Sequence, residues 1–285
     1  MPSKTSVTNE KICFIGIGGQ RCGKNTIYTW LEEHPQICTT PKMELHYFTH
    51  KYSRGYEWYE SHFQPDNHTQ IIGEMSSSYL YDYEAPEKVY KYNPAMKIIL
   101  SVRDPVKRLV SAFKHDIQTG CIPIKGHYSV EEGIRNNPTY IEYGLYYKYL
   151  KRWLEIFPKE NILVIDFHKM INHPAKFSSE LFNFLGVDSS FVPSSVNRTY
   201  NRSYIPRYEF PLRFITFSRR ILETLGLKQL VSALKRAGVR NYIDALNDSK
   251  VSVEISDAET KKLEDIFRDS NKNLSALLNA DTLFK

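Results

Sequence analysis

The sequence predicts an α/β fold: a single domain with a central parallel sheet flanked by helices, followed by a helical C-terminal region. Three observations carry this. Short apolar runs alternate with helix-patterned stretches; the first run ends in a glycine-rich turn that opens a helix; and the pattern changes beyond residue 200 to amphipathic helices alone.

In chain order, "KICFIGIG" reads as a buried strand, because an apolar run of that length ending in glycines suits a parallel sheet covered on both faces. Residues 24 to 33 read as a helix stopped at His34-Pro35. "QIIGEMS" is a second strand, and "APEKVYKYN" a helix with Pro86 in its first turn. "MKIILSV" and "NILVIDF" are further strands. Helices follow each of them, "DPVKRLVSAFKHDI" with Pro105 at its start and "PAKFSSELFNFLGV" closed by Gly186. Between these, "YGLYYKYLKRWLEIF" has aromatic and apolar residues at helical spacing. "VNRTYNRSYIPRYEF" reads as an irregular loop. Beyond it, "LRFITFSRRILETLGLKQLVSALKRAG" and "DAETKKLEDIFRDSNKNLSALL" read as helices that pack on the sheet or lid a site.

Composition narrows the class. With 285 residues, 41% hydrophobic and 25% charged, the chain has the make-up of an ordinary globular protein. A net charge of +6 favours an anionic ligand, yet no element concentrates the cations as a nucleic-acid interface does. No apolar run is long enough for a membrane span. The polar start "MPSKTSVTNEK" lacks the core of a secretory signal, so residues 1–10 are expected to be flexible and the protein cytoplasmic. Cys13, Cys22, Cys38 and Cys121 have no metal-ligand spacing, which fits a reduced compartment and no metal site.

Three stretches bear chemistry. The first is "GIGGQRCGKNT". A glycine-rich turn between strand and helix aims backbone N–H groups at one point, and Arg21 and Lys24 add full charges. Gly18, Gly23 and Lys24 nearly satisfy the pattern of a nucleotide triphosphatase, but Asn25 stands where a magnesium-holding hydroxyl belongs. Thr26 could replace it, and Asp166 could pass for the acidic partner. The second is "IILSVRDPVKRLVSAFKH", where Arg103 at a strand end and Ser111 on the next helix could hold a separate phosphate, or Arg103 could pair with Asp104. The third is "TPKMELHYF". Lys42, Glu44 and His46 alternate with apolar residues, the period of an extended strand, which puts a carboxylate, a cation and an imidazole on one face. A Lys–Glu pair on a wet strand face would look the same.

Taken together, these stretches resemble the sulfotransferases that use 3′-phosphoadenosine 5′-phosphosulfate, including carbohydrate, heparan-type and microbial natural-product members. "FIGIGGQRCGKNTIYTWLEEHPQI" is similar to the family's 5′-phosphosulfate loop and "PKMELHYF" to the segment with its acceptor base. "GEMSSSYLYDYEAPEKVYKYNPAMKIILSVRDPVKRLVSAFKH" resembles its 3′-phosphate segment. The likeness runs through residues 11 to 190 in order, and weakly through "NRSYIPR". It implies that Gly19, Gln20, Arg21, Cys22, Gly23, Lys24, Asn25 and Thr26 hold the 5′-phosphosulfate. Arg103 and Ser111 would hold the 3′-phosphate, with Arg202 and Arg207 completing the cofactor pocket. Glu44 falls on the base of the heparan-type branch, with His46 or His115 as substitutes, and Arg21 or Lys24 would assist the leaving group. Met75 stands where some members carry lysine.

The implied reaction is sulfuryl transfer to a hydroxyl or amine of a small-molecule or carbohydrate acceptor, with adenosine 3′,5′-bisphosphate as product and no metal required. Tyr79, Tyr81, Tyr83, Tyr140 and Tyr143 could line an aromatic acceptor pocket or simply pack. Two other classes compete: a P-loop kinase, and a nucleotide-binding module without catalysis.

Overall fold

The computed structural model describes residues 11–123, 128–198, 253, 255–279 and 283–284. Arg202, Arg207, the "NRSYIPR" loop and the first of the two C-terminal helical stretches lie outside the described residues.

The chain begins with strand β1 (Phe14–Gly18) and helix α1 (Lys24–Glu33), then β2 (Ile37–Cys38), α2 (Tyr47–His50), α3 (Gly55–Glu60) and β3 (Ile71–Met75). It continues through α4 (Ala85–Tyr92), β4 (Lys97–Val102), α5 (Pro105–Gln118), α6 (Val130–Asn136), α7 (Thr139–Glu142) and α8 (Tyr146–Leu154). Then come β5 (Ile162–Asp166), α9 (Phe167–Asn172), α10 (Pro174–Leu185) and α11 (Asp257–Leu278). Every strand and helix predicted on described residues is present, most within a few residues of its expected ends. The two-residue β2 went unpredicted, because "IC" is too short for any periodicity to register.

Among the described residues, five strands form a sheet in the order β2-β3-β1-β4-β5, each pair parallel. From β1 the chain winds to one side to build β2 and β3, then crosses to the other for β4 and β5. Beside β1 the winding reverses, and in such sheets the crevice at the carboxyl ends of the strands there is where ligands bind.

Two compact units are defined by their internal contacts. The first comprises Met1–Arg108, Glu142–Asn201 and Glu264–Lys285; the second, Leu109–Ile141 and Arg202–Leu263. In the first, both faces of the sheet are covered. Ile15, Ile17, Ile98, Leu100 and Val102 pack with Tyr79, Tyr146 and Trp153 on one side. Phe14, Ile99 and Ile165 pack with Trp30, Leu31 and Phe182 on the other. That double burial is why β1 and β4 read as unbroken apolar runs rather than alternating ones. In the second, Phe113 of α5 packs its ring against Tyr128 and Tyr140 at 6.2 and 5.7 Å. Ser129 caps α6 by accepting the Glu132 N–H at 3.2 Å.

Candidate active site

The loop after β1 is tied down on three sides. The Gly19 N–H donates to the Ser101 carbonyl at 2.7 Å. The Ser101 hydroxyl donates to the Cys22 carbonyl at 2.5 Å, and the Gln20 N–H donates to the Tyr81 hydroxyl at 3.1 Å. Arg103 Nη1 donates to the Arg21 carbonyl at 3.3 Å, while its guanidinium lies 4.8 Å over the Phe167 ring. Arg21 and Gly23 take left-handed backbone, with φ of 65° and 82°. Gly23 is required twice over, since a Cβ there would also come within 2.6 Å of the Phe167 ring.

This turn leaves α1 with no side-chain cap and no acidic residue in its first turn. Its start therefore lacks a capping side chain, the arrangement found where helix starts bind anions. Lys24 and Arg21 stand at that end, as the loop sequence predicts. The Cys22 side chain is fully buried, with Sγ 3.3 Å from the Tyr146 hydroxyl, and burial pushes its thiol up. Cys22 therefore packs the loop from below, and its backbone is what remains for an anion.

The loop "TPKMELHYF" is not the extended strand its alternation suggests. Glu44 and His46 have φ of 64° and 56°, and α2 begins at Tyr47. The cause is long-range: the N–H groups of Glu44, His46 and Tyr47 bond to the Met75 carbonyl, the Ser76 hydroxyl and the Tyr79 hydroxyl, at 3.0, 2.9 and 2.9 Å. Non-glycine residues in this region are strained and gather at functional sites. Lys42 is exposed, so the three polar groups do not form one strand face.

The turn nevertheless delivers Glu44 to the anion loop. Its carboxylate is in direct ion-pair contact with Lys24 and accepts the Ser77 N–H at 2.8 Å and the Ser77 hydroxyl at 3.0 Å. His46 Nε2 lies 3.6 Å from the same carboxylate, and its Nδ1 is 2.9 Å from the Ser78 hydroxyl. Burial lowers the His46 pKa, aided by the charges of His50, Lys24, Lys51 and Lys42. Burial likewise pushes the Lys24 ammonium down to about 8, with Arg21 adding to it, against the pull of Glu74 and Cys22.

The other candidates fall elsewhere. Ser111 is buried and His115 half-buried on the part of α5 that belongs to the second unit. Asp166 is a helix cap: one oxygen accepts the His168 and Lys169 N–H groups at 2.9 and 3.2 Å, starting α9. That employment removes the sequence argument for a triphosphatase's acidic partner. Of the five tyrosines, Tyr79 is buried and donates to Glu74 at 2.6 Å, and Tyr81 serves the anion loop while stacking on Tyr143 at 3.8 Å. Tyr140 donates to Asp116, and Tyr83 is largely exposed.

Two buried charged residues escaped the sequence reading. Glu74 in β3 and Arg108 on α5 are both 0% exposed. The charge of Arg108 acts on Cys22, Tyr81 and Tyr146, which places it beneath the anion loop. A glutamate in the middle of the apolar run "IIGEM" was the available signal for Glu74. Nothing in "VKRLV" separates Arg108 from its solvated neighbour Lys107.

A parallel sheet with a cationic, glycine-rich loop after its first strand and a carboxylate held against that loop places the chain among α/β proteins built around an anion loop. The sulfotransferase domain family matches residues 14–208, and the chain belongs to that family. Heparan sulfate glucosamine 3-O-sulfotransferase 5 of Mus musculus is 27% identical over 168 residues, covering 55% of this chain and 48% of that protein. Bifunctional heparan sulfate N-deacetylase/N-sulfotransferase 3 of Homo sapiens is 31% identical over 204 residues, covering 63% of this chain and 23% of that one. The chain thus spans about half the length of the first relative or less. A sulfotransferase from Alicyclobacillus acidocaldarius has the same fold, with a TM-score of 0.69 at 20% identity over 96% of this chain and 98% of the other. The family resemblance is borne out, and the kinase reading is not favoured.

Proposed function

We propose that the chain transfers a sulfuryl group from 3′-phosphoadenosine 5′-phosphosulfate to a hydroxyl or amine of a small-molecule or carbohydrate acceptor. The observation that carries this is the contact between Lys24, at the mouth of the anion loop, and the Glu44 carboxylate. A base for the acceptor proton and a cation for the leaving oxygen then stand side by side at the loop.

The site suits such a donor. Gly23 supplies the left-handed turn that opens the uncapped start of α1, and Arg21 and Lys24 match a phosphosulfate in charge. When bound, the donor supplies an activated sulfuryl group. Loop N–H groups, Arg21 and Lys24 would hold the 5′ end and absorb charge on the departing oxygen. Arg103, tied to the loop through the Arg21 carbonyl, would hold the 3′-phosphate. Glu44 would accept the proton of the acceptor group, its carboxylate aimed by both Ser77 donors.

The saccharide acceptors named for the heparan sulfate relatives support a carbohydrate here, and the natural-product resemblance supports a small metabolite. The test is incubation with the labelled sulfate donor and a panel of both acceptor kinds, read by mass spectrometry. Calorimetry with adenosine 3′,5′-bisphosphate and with ATP accompanies it. Bisphosphate binding and sulfated product are expected; magnesium-dependent ATP binding with no bisphosphate binding would refute the proposal.

A further inference from the structure

The strained turn at Glu44 needs something to hold it, and a buried carboxylate lies beneath it. Glu74 is fully buried at the end of β3. One of its oxygens accepts the Tyr79 hydroxyl at 2.6 Å and the other the Ser76 hydroxyl at 2.8 Å. Each hydroxyl is itself an acceptor from the turn: the Tyr47 N–H donates to Tyr79 and the His46 N–H to Ser76, both at 2.9 Å. The Leu45 N–H also acts on Glu74, favouring its ionised form. Two successive backbone donors of the turn thus reach one carboxylate, each through its own hydroxyl. Glu44 and His46, on either side of Leu45, take left-handed φ values in that turn.

The direction of these bonds matters. Each hydroxyl has one proton and must point it at Glu74, because its lone pair already receives a turn N–H. Glu74 therefore faces a hydroxyl donor on each of its oxygens, an arrangement that an ionised carboxylate satisfies and that a protonated acid or an amide, each carrying a donor of its own, does not. We propose that Glu74 is the positioning residue of the site: as a carboxylate it locks residues 44–47 in the left-handed turn that carries Glu44 to Lys24 and Ser77. The consequence for turnover rests on the reading of Glu44 as the base; the consequence for the turn does not.

Titration adds a readout. Burial raises the Glu74 pKa to about 7, against the pull of the Tyr79 and Ser76 donors, Lys24 and the Leu45 N–H. The other titratable groups acting at this position are Tyr28, Tyr59 and Tyr79, whose phenols burial keeps protonated. Glu74 is thus ionised above that value, and the lock loosens as pH falls through it.

The experiment compares the wild-type chain with Glu74→Gln, Ser76→Ala, Tyr79→Phe and Glu44→Gln by amide hydrogen exchange, bisphosphate calorimetry and turnover. Glu74→Gln should strip protection from the Leu45, His46 and Tyr47 amides and leave the β4 amides intact. It should lower turnover about 10²-fold, the effect of misplacing a catalytic group by about 1 Å, with bisphosphate affinity nearly unchanged. In the wild-type chain those three amides should titrate together near neutrality, separately from the His46 ring signals, and the shared midpoint should vanish in Glu74→Gln. Unaltered protection at residues 45–47 in Glu74→Gln overturns the proposal. Should that variant lose its β4 amides as well, the single arms decide: selective loss at Tyr47 in Tyr79→Phe and at His46 in Ser76→Ala supports the lock, and no change in either overturns it. If Glu44→Gln keeps its turnover while Glu74→Gln loses the turn, the lock stands and the base assignment falls.

Discussion

Ser77 gives both its backbone N–H and its hydroxyl to the Glu44 carboxylate, at 2.8 and 3.0 Å. Two donors from one residue fix the plane of that carboxylate, and Lys24 contacts it as well. The group proposed as base is therefore aimed before any acceptor arrives.

Glu44→Gln keeps the shape of the side chain and cannot accept a proton. Turnover is expected to fall about 10²- to 10⁴-fold, the usual contribution of a positioned base, with bisphosphate affinity little changed. Ser77→Ala keeps the N–H donor and should lose less. Near-normal turnover in Glu44→Gln would shift the role to His46 or His115.

Lys24 sets a pH dependence whose sign follows from its lowered pKa. The ammonium is charged below about 8 and neutral above it. Bisphosphate affinity should therefore be greatest below that value and weaken as pH rises through it, by up to about tenfold per unit. A bound anion moves the midpoint upward. Lys24→Arg, which stays charged, should flatten the profile. Calorimetry across the alkaline range checks both; a wild-type profile as flat as that of the arginine variant would show that Lys24 does not meet the ligand.

Arg103 bonds to the Arg21 carbonyl and covers Phe167, and it is the residue proposed for the second phosphate. Arg103→Ala should weaken bisphosphate binding by roughly 1.5–3 kcal/mol, the range for hydrogen bonds to charged groups, with the fold retained. Arg103→Lys keeps the charge without the fork and should recover only part. Unfolding in Arg103→Ala, with full affinity in Ser111→Ala, would make the arginine structural.

Asp166 offers a control that separates fold from function. As the cap of α9 it should contribute about 1 kcal/mol, so Asp166→Ala lowers the melting temperature while Asp166→Asn, a comparable cap, does not. Neither should change bisphosphate affinity. A selective loss of nucleotide binding in Asp166→Asn would revive the triphosphatase reading.

The sequence by itself determined the α/β architecture, the anion loop and the placing of Arg103 beside it. Each depends on local chemistry: apolar runs buried on both faces, glycine where φ is positive, cations at a helix start. It also named Glu44, but for a reason the structure replaces, since a strand's alternation is not what aims that side chain. The left-handed turn at 44–46 exists because its N–H groups find partners at residues 74–79, about 30 positions away, and no local pattern encodes such a pairing. The buried states of Glu74 and Arg108 were likewise decided by tertiary structure. Whether a charged side chain faces water, a helix end or another chain segment depends on what the fold packs against it, and a single strand or helix read alone does not contain that information.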